Sequence, residues 1–441
     1  MKDPFKFKKK DTVDGTDKND QSKMEHFAKK IGEFFSTEPQ KEKVLSHEDF
    51  NAAGDVYYAT VSASYKVAQR ILWLFFVFFM VISIIANFRE ITYENFFYLA
   101  KEFTSAADEG SNNYETLSYE SDQRQNFVLY RGGIATVSPS KMSIFTATGR
   151  RTLNYTSSFS SPYATSSDKY VLVYDTSGNT FSIYNSFARV YTETLDHPVK
   201  CASLADDGSF AIVTRSPGGY WTTRIYTKSF KLKATIPSNE YIFSISMDSS
   251  REKLAILTYD TGDGTGETVL KVYDLSGMKD SKGNEIELEN ETVYRGEFPI
   301  KCGFLANNTT AVITDRYVRL LDGEYSEKDR SPSYSSGNIT GYFLDSEGVA
   351  VSFMQDSVSK LIAYDGSGDL LYEDRVSSNV SDVSVCGSQI FMQTEQGVIK
   401  LDPKTAKQQL LTSGQGKMLV YDKNTVLVCG ESKAEYLVFE K

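Results

Sequence analysis

One phrase returns throughout most of this 441-residue chain: a turn, then a short run of almost wholly apolar residues. The first members of these runs are Ile134, Tyr170, Phe210, Leu254, Ala311, Val349, Ile390 and Val426, at intervals of 36, 40, 44, 57, 38, 41 and 36 residues. The long interval holds a polar insertion, Gly277 to Glu291. The other intervals average about 39 residues, close to the repeat length of propeller blades. A sandwich has no such period. The expected fold is therefore all-β: a β-propeller of about eight four-stranded blades over residues 114–441, or seven if one unit is degenerate.

Each unit follows one grammar. A weak strand such as Cys201 to Leu204 precedes a turn such as Asp206-Asp207-Gly208. The apolar strand comes next, as in FAIV at 210–213, LAIL at 254–257 and VLVC at 426–429. An alternating strand then ends in an aromatic residue or Leu followed by Asp, at Asp274, Asp322, Asp365 and Asp402. A polar strand closes the unit. Neighbouring blades cover the inner strands on both faces, so these strands can be apolar throughout, whereas the outer strand is half solvated. The Asp is expected to accept backbone hydrogen bonds in a tight reversal. Aromatic residues, 13% of the chain, suit the same pleated surfaces. The last unit stops after three strands, and an open ring would leave unpaired edges. Tyr114 to Tyr119 is expected to supply the missing outer strand.

Before the repeats, Ile71 to Phe88 reads ILWLFFVFFMVISIIANF without a charge. As a helix it would be about 27 Å long, near the thickness of a bilayer's hydrocarbon core. It is expected to be one transmembrane helix, with Ile71, Trp73, Phe79, Ile85 and Phe88 along it. A buried core helix would show a polar face. With no N-terminal signal ahead of it, the span is expected to act as an uncleaved signal anchor that keeps the preceding residues in the cytoplasm. Lys66 and Arg70 on its N-terminal side, against Arg89 on the other, add a slight bias the same way.

The expected organisation is a largely disordered cytoplasmic tail over 1–65, a transmembrane and juxtamembrane helical region over 66–104 (core 71–88), a linker over 105–113 and the propeller from 114. Met24 to Phe35 has helical apolar spacing and suits either a short amphipathic helix or a solvated one. The resulting localisation is a single-pass cell-membrane protein with an extracytoplasmic propeller.

The chemistry of the ring is less marked. The net charge of −10 lies almost wholly beyond residue 70, and an acidic domain repels phosphate backbones, so nucleic acid is not an expected partner. Beyond the membrane span His197 is the only histidine, and it precedes Pro198 in a turn. Histidine-based triads and multi-histidine metal sites thus lack material. Cys201, Cys302, Cys386 and Cys429 each lie in or beside an apolar run and read as buried small hydrophobes. Lys200-Cys201 and Lys301-Cys302 read as equivalent positions of two repeats. Asp260, Asp263 and Glu267 in YDTGDGTGE could offer oxygen ligands to calcium, but their spacing does not match the EF-hand loop and a glycine-rich hairpin between two strands explains the same residues. RSPGGYW at 215–221 reads as a hairpin with exposed aromatics, which could stack on a sugar or peptide.

The units LAILTYD with VLKVYDLSG (254–277) and VAVSFMQD with KLIAYDGSGDLLYE (349–373) resemble the WD-repeat and quinoprotein-type β-propellers. With the tail and single span, residues 65–441 resemble an uncharacterised family of Gram-positive bacterial membrane proteins, a domain of unknown function. That resemblance implies a fold and no activity. Trp-Asp dipeptides are absent, and so is the per-blade tryptophan docking motif of quinoprotein dehydrogenases, so no cofactor is expected. The leading functional expectation is a non-enzymatic binding or scaffold module for a protein or cell-envelope polymer. The alternatives are an envelope-polymer hydrolase or lyase using channel carboxylates, and a sensor signalling through the tail.

Overall fold

The computed structural model describes residues 52–86 and 116–440, apart from 123–124, 249, 251, 263, 265 and 278–285. The chain divides into two units, Met1–Phe97 and Tyr98–Lys441. In the first, one helix, α1, spans Ala52–Ala86. At 35 residues it is about 52 Å long, more than a bilayer core requires. It begins well before Ile71, so residues 52–65, expected in the tail, are helical. None of the 18 residues in its most apolar window, Tyr65–Ile82, is buried in protein. Such a helix is long and apolar enough to cross a membrane. Ile71, Trp73, Phe79 and Ile85 lie within it, whereas Phe88, the 91–103 helix, the 105–113 linker and Met24 to Phe35 lie outside the described residues.

In the second unit the described residues form eight four-stranded antiparallel sheets. Blades 1 to 7 are continuous in sequence, at 126–156, 162–194, 199–238, 241–295, 299–330, 338–375 and 380–412. Blade 8 takes three strands from 417–438, and its outer strand is Leu117–Ser118, paired with Lys433–Val438 through Leu117↔Ala434 and Ser118↔Lys433. Tyr119 completes the closure, its hydroxyl donating to the Gly430 carbonyl at 2.7 Å. The predicted period, blade number and closure therefore all stand.

The apolar run of each repeat is the second strand, and it is the one covered on both faces. Phe210 to Thr214, Thr310–Thr314 and Thr425–Cys429 are buried at every position. The innermost strand is different. It alternates, because one side faces the channel, which is why it reads weakly in the sequence. The outer strands are solvated, as in Glu327–Arg330, where all four residues are exposed. Part of the apparent insertion is likewise an outer strand: Glu287–Arg295 closes blade 4, and its polarity reflects exposure. The third-strand aspartates behave as expected. Asp322 Oδ1 accepts from the amides of Glu324 and Ser326, and Asp365 Oδ1 from those of Ser367 and Asp369, at 2.8–3.0 Å.

Antiparallel order gives the ring two faces. The inner-turn face carries the turns that follow the first and third strands of each blade. The connection face carries the second-to-third hairpins and the links between blades. Leu117 and Ser118, paired with the first two residues after the 430–432 hairpin, lie at the connection-face end of blade 8. Near the axis the blades crowd: a side-chain carbon at Gly341 in blade 6 would come within 3.1 Å of the Asp382 Cα in blade 7.

Candidate functional site

The eight innermost strands enclose a central channel of about 1770 Å³. In blades 3 to 7 each of these strands carries a β-bulge at the same place, beside the connection face, and the extra residues are Lys200, Phe243, Ile300, Thr340 and Ser381. A bulge bends its strand and re-aims a side chain. Here, all but the half-buried Ile300 are exposed, and all five residues line the channel.

The bulges correct the expected equivalence of the two Lys-Cys pairs. Cys201 pairs with Val213, but it is Lys301 that pairs with Ile313 at the matching position of blade 5, and Cys302 pairs with Val312. The cysteines are thus one residue out of step, and a one-residue step reverses the face. Cys302 and Cys429 are buried, as expected, while Cys201 and Cys386 are partly exposed and line the channel. All four are free thiols. Burial pushes Cys201 and Cys302 up to about 12, which keeps them protonated and unreactive at neutral pH.

The two mouths of the channel differ. Toward the inner-turn face lie the carboxylates of Asp206, Asp248, Asp345 and Glu347. Burial raises Asp206, and nearby Asp168, Asp248 and Asp207 raise it further. Asp345 lines the channel and is exposed to it, with protein packed around its carboxyl. Burial pushes its carboxyl up to about 6, while the Glu347 amide at 2.7 Å and the Lys301 ammonium pull the other way. The Lys301 ammonium, itself lowered by burial, donates to the Leu344 carbonyl at 2.8 Å.

The connection face is aromatic. The described residues of the ring include seven exposed aromatic side chains, and five of these, Tyr163, Tyr220, Tyr241, Phe243 and Phe298, lie toward this face, while Tyr342 sits midway along its inner strand. Tyr163 and Tyr342 come from blades 2 and 6, on opposite sides of the ring. Burial, and secondarily Tyr163, raise the Tyr342 phenol. Phe243 packs edge-to-face on Phe298 at 5.0 Å, and Tyr259 touches both. In the 215–221 hairpin, Tyr220 is exposed as expected. Trp221 is not: it is buried against Tyr241, and the Arg215 guanidinium lies 5.3 Å from each ring. Sequence reasoning missed Tyr163, Phe243 and Phe298, whose common feature is a position near the start of an inner strand or just before one, and Tyr342 midway along one.

The remaining candidates occupy ordinary positions. Asp260 and Glu267 close a hairpin as a register pair. Asp260 Oδ1 accepts from the Gly262 amide at 2.9 Å, Glu267 pairs with Arg295 at 2.9 Å, and Asp263 lies outside the described residues. Among the described residues no three His, Cys, Asp or Glu side chains gather as metal ligands. His197 sits in the link between blades 2 and 3.

Solved structures similar to the ring include BamB from Moraxella catarrhalis (10% identity, 74% of this chain and 100% of that one, TM-score 0.48). A eukaryotic initiation factor matches at 11% identity over 73% of this chain and 85% of that one, TM-score 0.48. The dihydro-heme d1 dehydrogenase NirN matches at 11% identity over 74% and 76%, TM-score 0.47. No protein of curated function matches the chain. The model of one family covers residues 107–435, three quarters of the sequence, and the chain belongs to that family, the family of unknown function DUF5711.

Proposed function

We propose that the protein is a membrane-anchored binding module of a Gram-positive cell envelope, whose propeller recruits a protein or envelope polymer at the aromatic mouth of its channel. Helix α1 is the single anchor. Lys66 and Arg70 hold its N-terminal side in the cytoplasm, and the ring stands outside. The observation that carries the binding role is the gathering of five of the seven exposed rings among the described residues on one face. Exposed aromatic residues clustered at a concave site mark recognition surfaces more often than chance exposure does.

Site-specific photo-crosslinking in intact cells tests both parts. Position 243 should give adducts that are lost on Phe298→Ser, while position 421 on the opposite face gives none. Protease added outside intact cells should digest the ring and spare the tail. Equal adducts from both positions, or a protected ring, would end this reading.

A further inference from the structure

The outer rim of the ring is polarised in charge. The outer strands of blades 1 to 3, Arg151–Thr156, Arg189–Thr194 and Leu232–Ser238, hold three cations, Arg151, Arg189 and Lys233, against one carboxylate. Lys228 and Lys231 add two more in the turn that leads into the last of these strands. The outer strands of blades 4 to 6 hold seven carboxylates against four cations. Arg151, Arg189, Lys228 and Lys231 are exposed and Lys233 is half-buried, and none of the five pairs with a carboxylate among the described residues. The one carboxylate among them, Glu193, accepts from the Tyr191 and Tyr226 hydroxyls at 2.7 and 3.3 Å. Glu120, which also feels Arg151, pairs with Lys141. Asp168, Asp206, Asp207 and Asp248 of the inner-turn face stand at the turns after the first strands, nearer the axis.

All five cations stand at the inner-turn end of the outer edge, because each lies in the turn before an outer strand or in its first two residues. Aromatic contacts join the three edges. Arg189 of blade 2 lies over Tyr155 of blade 1 at 4.6 Å, and Phe230 of blade 3 stacks on Tyr191 of blade 2 at 5.3 Å. Phe230 also fixes the lysine turn: it sits at φ 60°, its amide donates to the Thr227 carbonyl at 2.8 Å, and its ring packs on Tyr170 at 5.4 Å. The chain itself enters beside this rim. Leu117–Ser118 is the outer strand of blade 8, which packs on blade 1. The strand runs toward the connection face, so the chain reaches it from the inner-turn side. The thirty residues between Ala86 and Leu117 reach at most about 100 Å, which keeps the ring at high local concentration by the bilayer that holds α1. Each Lys or Arg at an anionic bilayer surface favours association about fivefold, and such a surface repels the carboxylates of blades 4 to 6.

From this we infer that the basic rim of blades 1 to 3 seats on the anionic headgroups of the bilayer, with the acidic side of the ring turned away. The inference rests on α1 being the anchor proposed above and adds the surface by which the ring meets lipid. The test is hydrogen exchange of the full-length protein in nanodiscs of phosphatidylcholine, and of its equal mixture with phosphatidylglycerol. Exposed amides of 149–151 and 228–231 should exchange at least about fivefold more slowly in the anionic discs, while the blade 5 turn at 322–326 exchanges alike in both. The slowing should vanish at high salt and in the double variant Lys228→Gln with Lys231→Gln, whose exchange in phosphatidylcholine discs should match the parent's. Slowing that survives the double substitution, or that centres on 322–326, would overturn the inference. So would slowing produced by soluble polyglutamate in phosphatidylcholine discs and not by phosphatidylglycerol, which would make the rim a site for a soluble polyanion. A chain that fails to enter the discs loses the anchor and this inference together. One that enters and exchanges alike in both lipids loses this inference alone.

Discussion

Arg319 and Glu297 meet where blades 4 and 5 join, in a space nearly closed to water: their side chains are 11% and 5% exposed. The guanidinium donates to both carboxylate oxygens, Thr314 donates to the same carboxylate at 2.8 Å, and Tyr294 and Tyr317 flank the cation at 4.7 and 5.0 Å. Removing one partner strands a buried charge, which costs about 3–5 kcal/mol, whereas removing both costs less. Arg319→Met should therefore lower stability in urea by about that amount, and Arg319→Met with Glu297→Gln by clearly less. A single-variant loss below about 1 kcal/mol would show the pair to be solvated. Asp345 makes the second residue-scale prediction. Its folded-state pKa, pushed up to about 6, exceeds the unfolded value of about 3.9. The group thus favours the fold below about pH 4, and that contribution is lost as pH rises through about 6. The stability difference between Asp345→Asn and the parent should change between about pH 4 and 6 and level off above. A difference constant across that window would show that burial does not perturb the carboxyl.

At the scale of elements, burial on two faces is what made the fold legible. The second strands, such as FAIV and VLVC, have no solvated side, so they print an unbroken apolar run every blade, and the third-strand aspartates mark the turns that follow. The channel was poorly legible for the converse reason. Inner strands alternate, their bulges break the period-two pattern, and a single extra residue was enough to misalign Cys201 with Cys302. The aromatic mouth is assembled from residues 163 to 298 in different blades, which no local pattern joins. Helix α1 was legible from composition alone, but its start at Ala52 was not, since 52–65 carries Asp55 and polar residues that a span would not tolerate. The helix also carries its own test. Phe79, near the middle of the apolar run, is exposed, and none of the window Tyr65–Ile82 is buried among the described residues. An arginine there costs about 2.5–3.5 kcal/mol for insertion, so Phe79→Arg should shift the protein toward the carbonate-extractable fraction. Full retention in the membrane pellet would mean that α1 is not what holds it there.

On the scale of the whole molecule, the ring is a repeat array whose ends must meet. In an open array each blade contacts only its neighbours, and the terminal units fray first. Here two residues of strand, Leu117–Ser118, join the beginning of the domain to its end. Leu117 is fully buried among Ile134 and Phe145 of blade 1 and Leu427, Cys429 and Ala434 of blade 8, so one side chain packs on both sides of the seam. Leu117→Ala should therefore cost about 2–5 kcal/mol, far more than Leu370→Ala on an exposed outer strand, expected within about 0.5 kcal/mol. The location of the damage is the sharper test. If the closing strand holds the circle, hydrogen exchange in Leu117→Ala should accelerate first in 425–438 and 126–145, while the blade 4 strand Lys253–Asp260, on the far side, keeps its protection. Exchange that rises equally in all eight blades would mean that the ring melts as one unit and that the seam is no weaker than any other joint.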